Sequence, residues 1–317
     1  MRFANHIRRA GLLALALLLA TGALAQNKFT IAVLPDVQGE TNDQRLTQRF
    51  EWLAQNQADL NLRMVLQVGD LMNFNDERQY VHQSKAYEVL DRAVIPFANA
   101  LGNHDTAAVL HDGGSAAPGN VNLNLRNTEK FNRNWPISRF VNYVGSYEPG
   151  KIENSYHLFR AGGLKWGVLA LELWPRTPVI EWAKQVVDQH PDVNWIVLTH
   201  SYLEGNSQLV QNNGGYGDNS PQFLFDQLIK PSANIQMVFS GHTGRHGYLE
   251  QTTDPGTKVH AFLQCYHDNE TNPTRLVTID TEARTLETWV YAPNTDERRD
   301  DGSARTVNGL NLVKPAD

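Results

Sequence analysis

A layered α/β fold is predicted by three features of the 317-residue sequence. Short apolar, β-rich runs alternate along the chain with stretches whose apolar residues recur at i, i+4 and i+7. Five of the apolar runs finish on Asp, Asn, Gln or His, the layout by which an open sheet builds a site outside the carboxyl ends of its strands. No internal repeat and no linker-like tract divides the chain, so one domain with a single core is expected.

The first residues read as an address rather than as part of the fold. Arg2, Arg8 and Arg9 open the chain, Gly11 to Leu19 is a short Leu/Ala run, and Ala23-Leu24-Ala25 gives the small-residue pattern of a signal-peptidase site. The run is shorter than the ~20 residues that cross a bilayer. Residues 1–25 are therefore expected to be a signal peptide. Residues 26–317 form the folded domain, periplasmic or secreted and free of the membrane after cleavage. The leader carries three arginines and no acid, so the net charge of −6, from 28 basic and 34 acidic residues, becomes −9 in its absence. Phosphate-backbone affinity comes mainly from Lys and Arg, so general nucleic-acid binding is not expected. Cys265 is the single cysteine, which excludes an internal disulfide.

The elements follow in order. Phe29 to Leu34 is a strand that ends at Pro35-Asp36. Asn42 to Asn56 is a helix with Leu46, Phe50 and Leu53 on one face. Met64 to Val68 is a buried strand ending at Gly69-Asp70, Glu77 to Ala93 a second helix, and Pro96 to Leu101 a strand leading into Gly102-Asn103-His104-Asp105. In the second half, Ser155 to Arg160 and Lys165 to Leu173 pair around the Gly162-Gly163 turn, and Val179 to Gln189 is helical. Trp195 to Thr199 ends at His200, Pro221 to Ile229 is helical, and Ile235 to Ser240 ends at Gly241-His242. The tail, with strands at Val259 to Gln264, Arg275 to Asp280 and Leu286 to Tyr291, is expected to complete a second sheet. Two polar, Gly/Asn-rich segments, Thr106 to Pro118 and Glu204 to Ser220, are long enough to be substrate-shaping walls.

Asp and Asn are common in turns and a lone His is usually structural, so one such strand end means little. Five in order, each offering oxygen or imidazole donors, describe a metal crevice. The order Asp36-x-Gln38, Gly69-Asp70, Gly102-Asn103-His104-Asp105, His200, Gly241-His242 resembles the calcineurin-like metallophosphoesterases, whose pattern is Asp-x-His, Gly-Asp-x-x-Asp, Gly-Asn-His-Asp/Glu, a lone His and Gly-His-x-His. The resemblance covers roughly Phe29 to Tyr291, and its most specific part is Leu101 to Asp105.

It implies a four-layer α/β/β/α sandwich and an exported hydrolase that cleaves phosphomono- or phosphodiesters of a small phosphorylated substrate by a metal-activated hydroxide. By position, Asp36 and Gln38 would hold a first ion, Asp70 would bridge, and Asn103, His200 and His242 would complete the second. His104 would be the acid or electrostatic helper, with Asp105 fixing its tautomer. Such donors suit Mn, Fe or Zn.

Three positions depart from the family pattern: Gln38, Asn73 and Gly244 stand where His, Asp and His are usual. The Asp-x-Gln opening is similar to a secreted bacterial branch of the family. The departures fall mostly on the first ion, which is expected to be held more weakly than the second. One ion should stay tightly bound and the other should need supplying, unless His246 replaces the ligand missing at Gly244. Arg245 is a candidate phosphate contact, and Tyr266 and His267 lie at a strand exit that can face the crevice. Two rivals stand beside this reading: a degenerate relative that binds without turnover, and an exported nuclease or cyclic-nucleotide diesterase.

Overall fold

The computed structural model describes residues 27–109, 117–268 and 271–314. The proposed signal peptide and the middle of the Thr106 to Pro118 segment lie outside them. The first sheet grows from three parallel strands, β1 (Lys28–Leu34), β2 (Leu62–Gln67) and β3 (Phe97–Asn99). The second is built around four, β6 (Leu164–Ala170), β7 (Val193–Leu198), β8 (Ile235–Ser240) and β10 (Lys258–Gln264). These strands read as near-continuous apolar runs because both of their faces are covered.

Antiparallel strands extend both sheets. On the second, β5 (Ser155–Ala161) and β4 (Tyr143–Ser146) add beside β6, and β9 (His246–Thr252) adds beside β10. On the first, β11 (Thr274–Asp280) pairs with β1, followed by β12 (Thr285–Ala292). Two short strands, β13 (Glu297–Arg298) and β14 (Arg305–Asn308), pair with β12. The strand-rich tail is thus divided. β10 joins the second sheet, whereas β11 and β12 return to the first, a correction to the expectation that the whole tail completes one sheet. The polar faces of β11 and β12 gave no clue to which sheet would take them.

The layers are fixed by three apolar clusters. Phe29, Ile31 and Met64 of the first sheet interdigitate with Trp166, Ile196 and Phe239 of the second, so the sheets pack face to face. The outer face of the first sheet is covered by α1 (Arg45–Gln55) and α2 (Glu77–Ala93), through Phe50, Leu53, Tyr87 and Leu90. Two short helices, α3 (Val121–Leu125) and α4 (Glu129–Asn134), follow in the connection to the second sheet, and α4 adds Phe131 to that cluster.

The second sheet is covered by α5 (Thr177–Gln189) and α6 (Pro221–Leu224), which continues as a π turn over Phe225–Ile229. This is the predicted α/β/β/α sandwich. A buried bidentate pair, Arg49 to Glu40 at 2.7 and 2.8 Å, pins the turn after β1 against α1. No helix among the described residues is long and apolar enough to cross a membrane.

Candidate metal centre

Every predicted site residue sits just beyond the carboxyl end of a parallel strand: Asp36 and Gln38 after β1, Asp70 after β2, Asn103 to Asp105 after β3, His200 after β7 and His242 after β8. Glycines allow the ends to meet. A Cβ at Gly102 would lie 1.9 Å from Asp70 Oδ1, and one at Gly241 would lie 1.9 Å from Asp36 Oδ1. Asp70 and His242 themselves adopt φ of +53° and +78°. Such strain in non-glycine residues persists only where the surroundings over-determine it.

Asp70, His200 and His242 converge into one cluster. His200 is fully buried, and its Nδ1–H donates to the Val68 carbonyl at 2.9 Å, which turns Nε2 inward. That Nε2 lies 3.2 Å from Asp70 Oδ2 and 3.2 Å from His242 Nδ1. Adjacent donors around a tetrahedral ion at about 2.0–2.1 Å are about 3.3 Å apart, so the cluster has the spacing of a ligand set. Buried oxygens without a partner among the described residues, Asn103 Oδ1 and Gln38 Oε1, are what ligands look like before an ion completes them. The residues fit divalent ions. Burial disfavours charge on His200, but the Asp70 and Asp36 carboxylates outweigh it and hold its pKa up at about 9. Burial and then His200 push His242 down to about 3. Burial tends to raise Asp70, yet the surrounding imidazoles hold it well below the usual carboxylate range.

A second cluster lies beside the first. The Asp36 carboxylate accepts the His242 backbone N–H, with Oδ2 at 3.0 Å, and faces Cys265 and His267 from the exit of β10. In the sequence His267 stands out only as a residue at a strand exit, and nothing there marks Cys265 as a ligand. Yet this exit repeats the layout of the other five, an apolar strand followed at once by metal-type side chains. His246 belongs to neither cluster and stacks on Tyr266. Arg245 lies over the same Tyr266 ring and 3.8 Å from Asp301.

His104 is half-buried, and its Nδ1 bonds the backbone carbonyl of Asn73. Nδ1 is therefore the protonated nitrogen, and Nε2 has no protein partner among the described residues. Asp105 does not perform the role expected of it. Its carboxylate accepts the backbone N–H groups of Met72 and Gly102, both at 2.9 Å, and makes no hydrogen bond to the His104 ring. It clamps the loop carrying Asp70 to the loop carrying Asn103. Burial and then Asp70 push Asp105 up to about 7.

The segment after His200 lines a cavity of about 480 Å³ together with Trp174, Tyr216, His242 and Thr243. Trp174 stands edge-on to His242 at 5.4 Å and to Tyr216 at 4.5 Å.

The family model described as calcineurin-like phosphoesterase matches residues 29–246. The chain belongs to this family. Uncharacterized protein YvnB of Bacillus subtilis (strain 168) is 29% identical to it over 255 residues, 76% of the present chain and 18% of that relative. The chain thus spans under a fifth of the relative's length. Among solved structures, purple acid phosphatase PPD1 from seeds of yellow lupin (Lupinus luteus) superposes with a TM-score of 0.53 at 12% identity. The superposition covers 92% of this chain and 57% of that one, a likeness of fold.

Proposed function

We propose that this phosphoesterase is an exported, metal-dependent hydrolase of small phosphomono- or phosphodiesters. One observation carries the reading: His200 Nε2 and His242 Nδ1 point at each other 3.2 Å apart beside Asp70, with the Asn103 amide oxygen buried and unpaired. Asp70, Asn103, His200 and His242 would hold an ion, and Asp36 would serve its neighbour. Divalent ions there supply Lewis acidity toward phosphoryl oxygens and lower the pKa of water; Mn, Fe and Zn all suit the Asp70 donors.

The chain's own groups do the rest. The Asn73 carbonyl holds the His104 Nδ1–H, so Nε2 is the nitrogen left to face the substrate, and it is as the imidazolium that it offers a proton or a hydrogen bond to the leaving oxygen. Asp105 keeps the Asp70 and Asn103 loops in register. The Trp174–Tyr216 cleft beside His242 takes the organic part of a small ester, a size that disfavours long nucleic acids. The basic, apolar leader with its Ala23-Leu24-Ala25 end supports a periplasmic or secreted location.

The test is a panel of a monoester, a diester and an oligonucleotide, assayed after chelation and again after adding back Mn, Fe or Zn. Hydrolysis of a small ester that disappears on chelation and returns with metal is expected. Full activity with metal shown absent would sink the reading, and preference for the oligonucleotide would move it to a nuclease.

A further inference from the structure

The exit of β10 brings two side chains against Asp36 that the family pattern does not claim. Cys265 Sγ lies 3.3 Å from Asp36 Oδ2 and 3.4 Å from His267 Nε2, and His267 Nε2 lies 3.2 Å from the same carboxylate oxygen. Around a tetrahedral ion with N and O donors at about 2.0–2.1 Å and S at about 2.3 Å, neighbouring donors are about 3.3 Å apart, or about 3.5 Å where one is sulfur. The triangle of Asp36, Cys265 and His267 has the dimensions of one face of that tetrahedron.

The backbone is shaped to hold it. Tyr266, between the two donors, has a φ of +59°, and the N–H groups of Cys265 and Tyr266 both donate to the Arg245 carbonyl, at 3.0 and 3.2 Å. The Tyr266 hydroxyl is tied to Asp301 at 2.7 Å and its ring lies under Arg245. Asp36 N–H donates to the Cys265 carbonyl at 3.2 Å, so carboxylate and thiol are locked to one another through the main chain as well. A left-handed tyrosine held from both sides is a cost the fold carries where the position of its neighbours matters.

We propose that the first ion of the centre is held by Asp36, Cys265 and His267, the β10 exit replacing the imidazoles missing at Gln38 and Gly244. This rests on reading the neighbouring Asp70 cluster as a metal centre. Gly244 cannot be the point of replacement. Its backbone is left-handed, and a Cβ there would stand 2.6 Å from Gly205 Cα. His267 is half-exposed and reaches over the buried Asp36 and Cys265 from the solvent side. An ion binds there with loss of the thiol proton to solvent, and a carboxylate–imidazole–thiolate set selects zinc over manganese or magnesium. The two positions of the centre then differ in chemistry, with sulfur at one and only oxygen and nitrogen at the other.

The same triangle is also a set of hydrogen bonds, and cobalt separates the two. The purified full chain is stripped and loaded with Co(II), and its cobalt content and near-ultraviolet spectrum are recorded. About two ions per chain and a sulfur-to-cobalt charge-transfer band are expected. Cys265→Ser should lose the band. His267→Ala should fall to about one ion with an unchanged circular dichroism spectrum, since the imidazole is half-exposed. A cobalt-filled wild type without the band, or His267→Ala with undiminished content, overturns the inference. One ion lost in His242→Ala but not in His267→Ala also overturns it and leaves the Asp70 centre standing. No uptake at all overturns both.

Discussion

The Asp70 and Asp36 clusters sit side by side yet are assembled differently. The Asp70 cluster draws every donor from a motif at the end of a parallel strand, and its histidine His200 is fully buried and fixed by a backbone carbonyl. The Asp36 cluster borrows two donors from β10 through a strained turn, and one of them, His267, stands half in solvent. The first arrangement leaves a readable trace because each ligand follows its strand in a set order. The second leaves almost none, because the contact depends on a kink at Tyr266 and on β10 lying beside β8 in the sheet.

The comparison breaks most sharply on the carboxylates. Asp70→Asn is expected to lose ions and hydrolysis together, because Asp70 bonds His200 directly and lies against the His104 backbone. Asp36→Asn should empty only its own cluster, which elemental analysis of the two dialysed variants would register as a difference of about one ion. Equal losses would mean that the clusters are one indivisible site.

The next effect separates chemistry from binding. His104→Asn should keep its metal and lower kcat by roughly 10²–10⁴ on a substrate with a poor leaving group. Near-normal turnover would remove His104 from the reaction. Asp105→Asn should act differently. It loses one of two accepted amide hydrogen bonds and is expected to cost about 1–3 kcal/mol of stability, with a smaller fall in kcat than His104→Asn. A pH–rate profile shifted as strongly as by His104→Asn would restore Asp105 to a direct partnership with the ring.

A smaller effect tests where the missing imidazole went. Gln38→His combined with Gly244→His restores the family pattern on paper. Here it should not raise ion retention and should destabilise the chain by about 1–3 kcal/mol, because position 244 needs a left-handed backbone against Gly205. Dialysis followed by metal analysis and thermal melts would check both halves.

The smallest prediction isolates acid sensitivity outside both clusters. His157 is buried on β5, with Nε2 3.0 Å from Ser155 Oγ, and burial pushes its pKa down to about 3. The neutral form is the folded one, so its contribution is intact above the unfolded value near 6.5 and is lost as pH falls toward 3. Between pH 7.5 and pH 5 that amounts to roughly 2 kcal/mol. Denaturant melts of His157→Leu should show a flatter dependence over this window. An unchanged slope would place the acid sensitivity in the metal clusters instead.

Much of this molecule is legible from its residues, and the failures have physical causes. Phe29 to Leu34 and Ile235 to Ser240 read as buried strands because both faces are apolar, and Leu46, Phe50 and Leu53 mark α1 by their spacing. Tyr143–Ser146 and His246–Thr252 escape notice because edge strands are half-exposed and carry little periodic signal. The family resemblance gives Asp105 to the His104 ring, but the turn sends its carboxylate into the amides of Met72 and Gly102. Cys265 and His267 follow an apolar strand as the other donors do, but they stand outside the family's motif pattern, so no spacing singles them out.

The pairing of β1 with β11 has a consequence for how the chain reaches this state. The hydroxyls of Thr30 and Thr278 lie 3.1 Å apart across that pair, separated by 248 residues. β1 leaves the ribosome long before its antiparallel neighbour exists, so the first sheet stays open along that side until β11 has been made. Such distant pairing makes closure slow. The Asp36 strand end is thus made long before the strand that flanks it, and its position is settled only when that later strand docks.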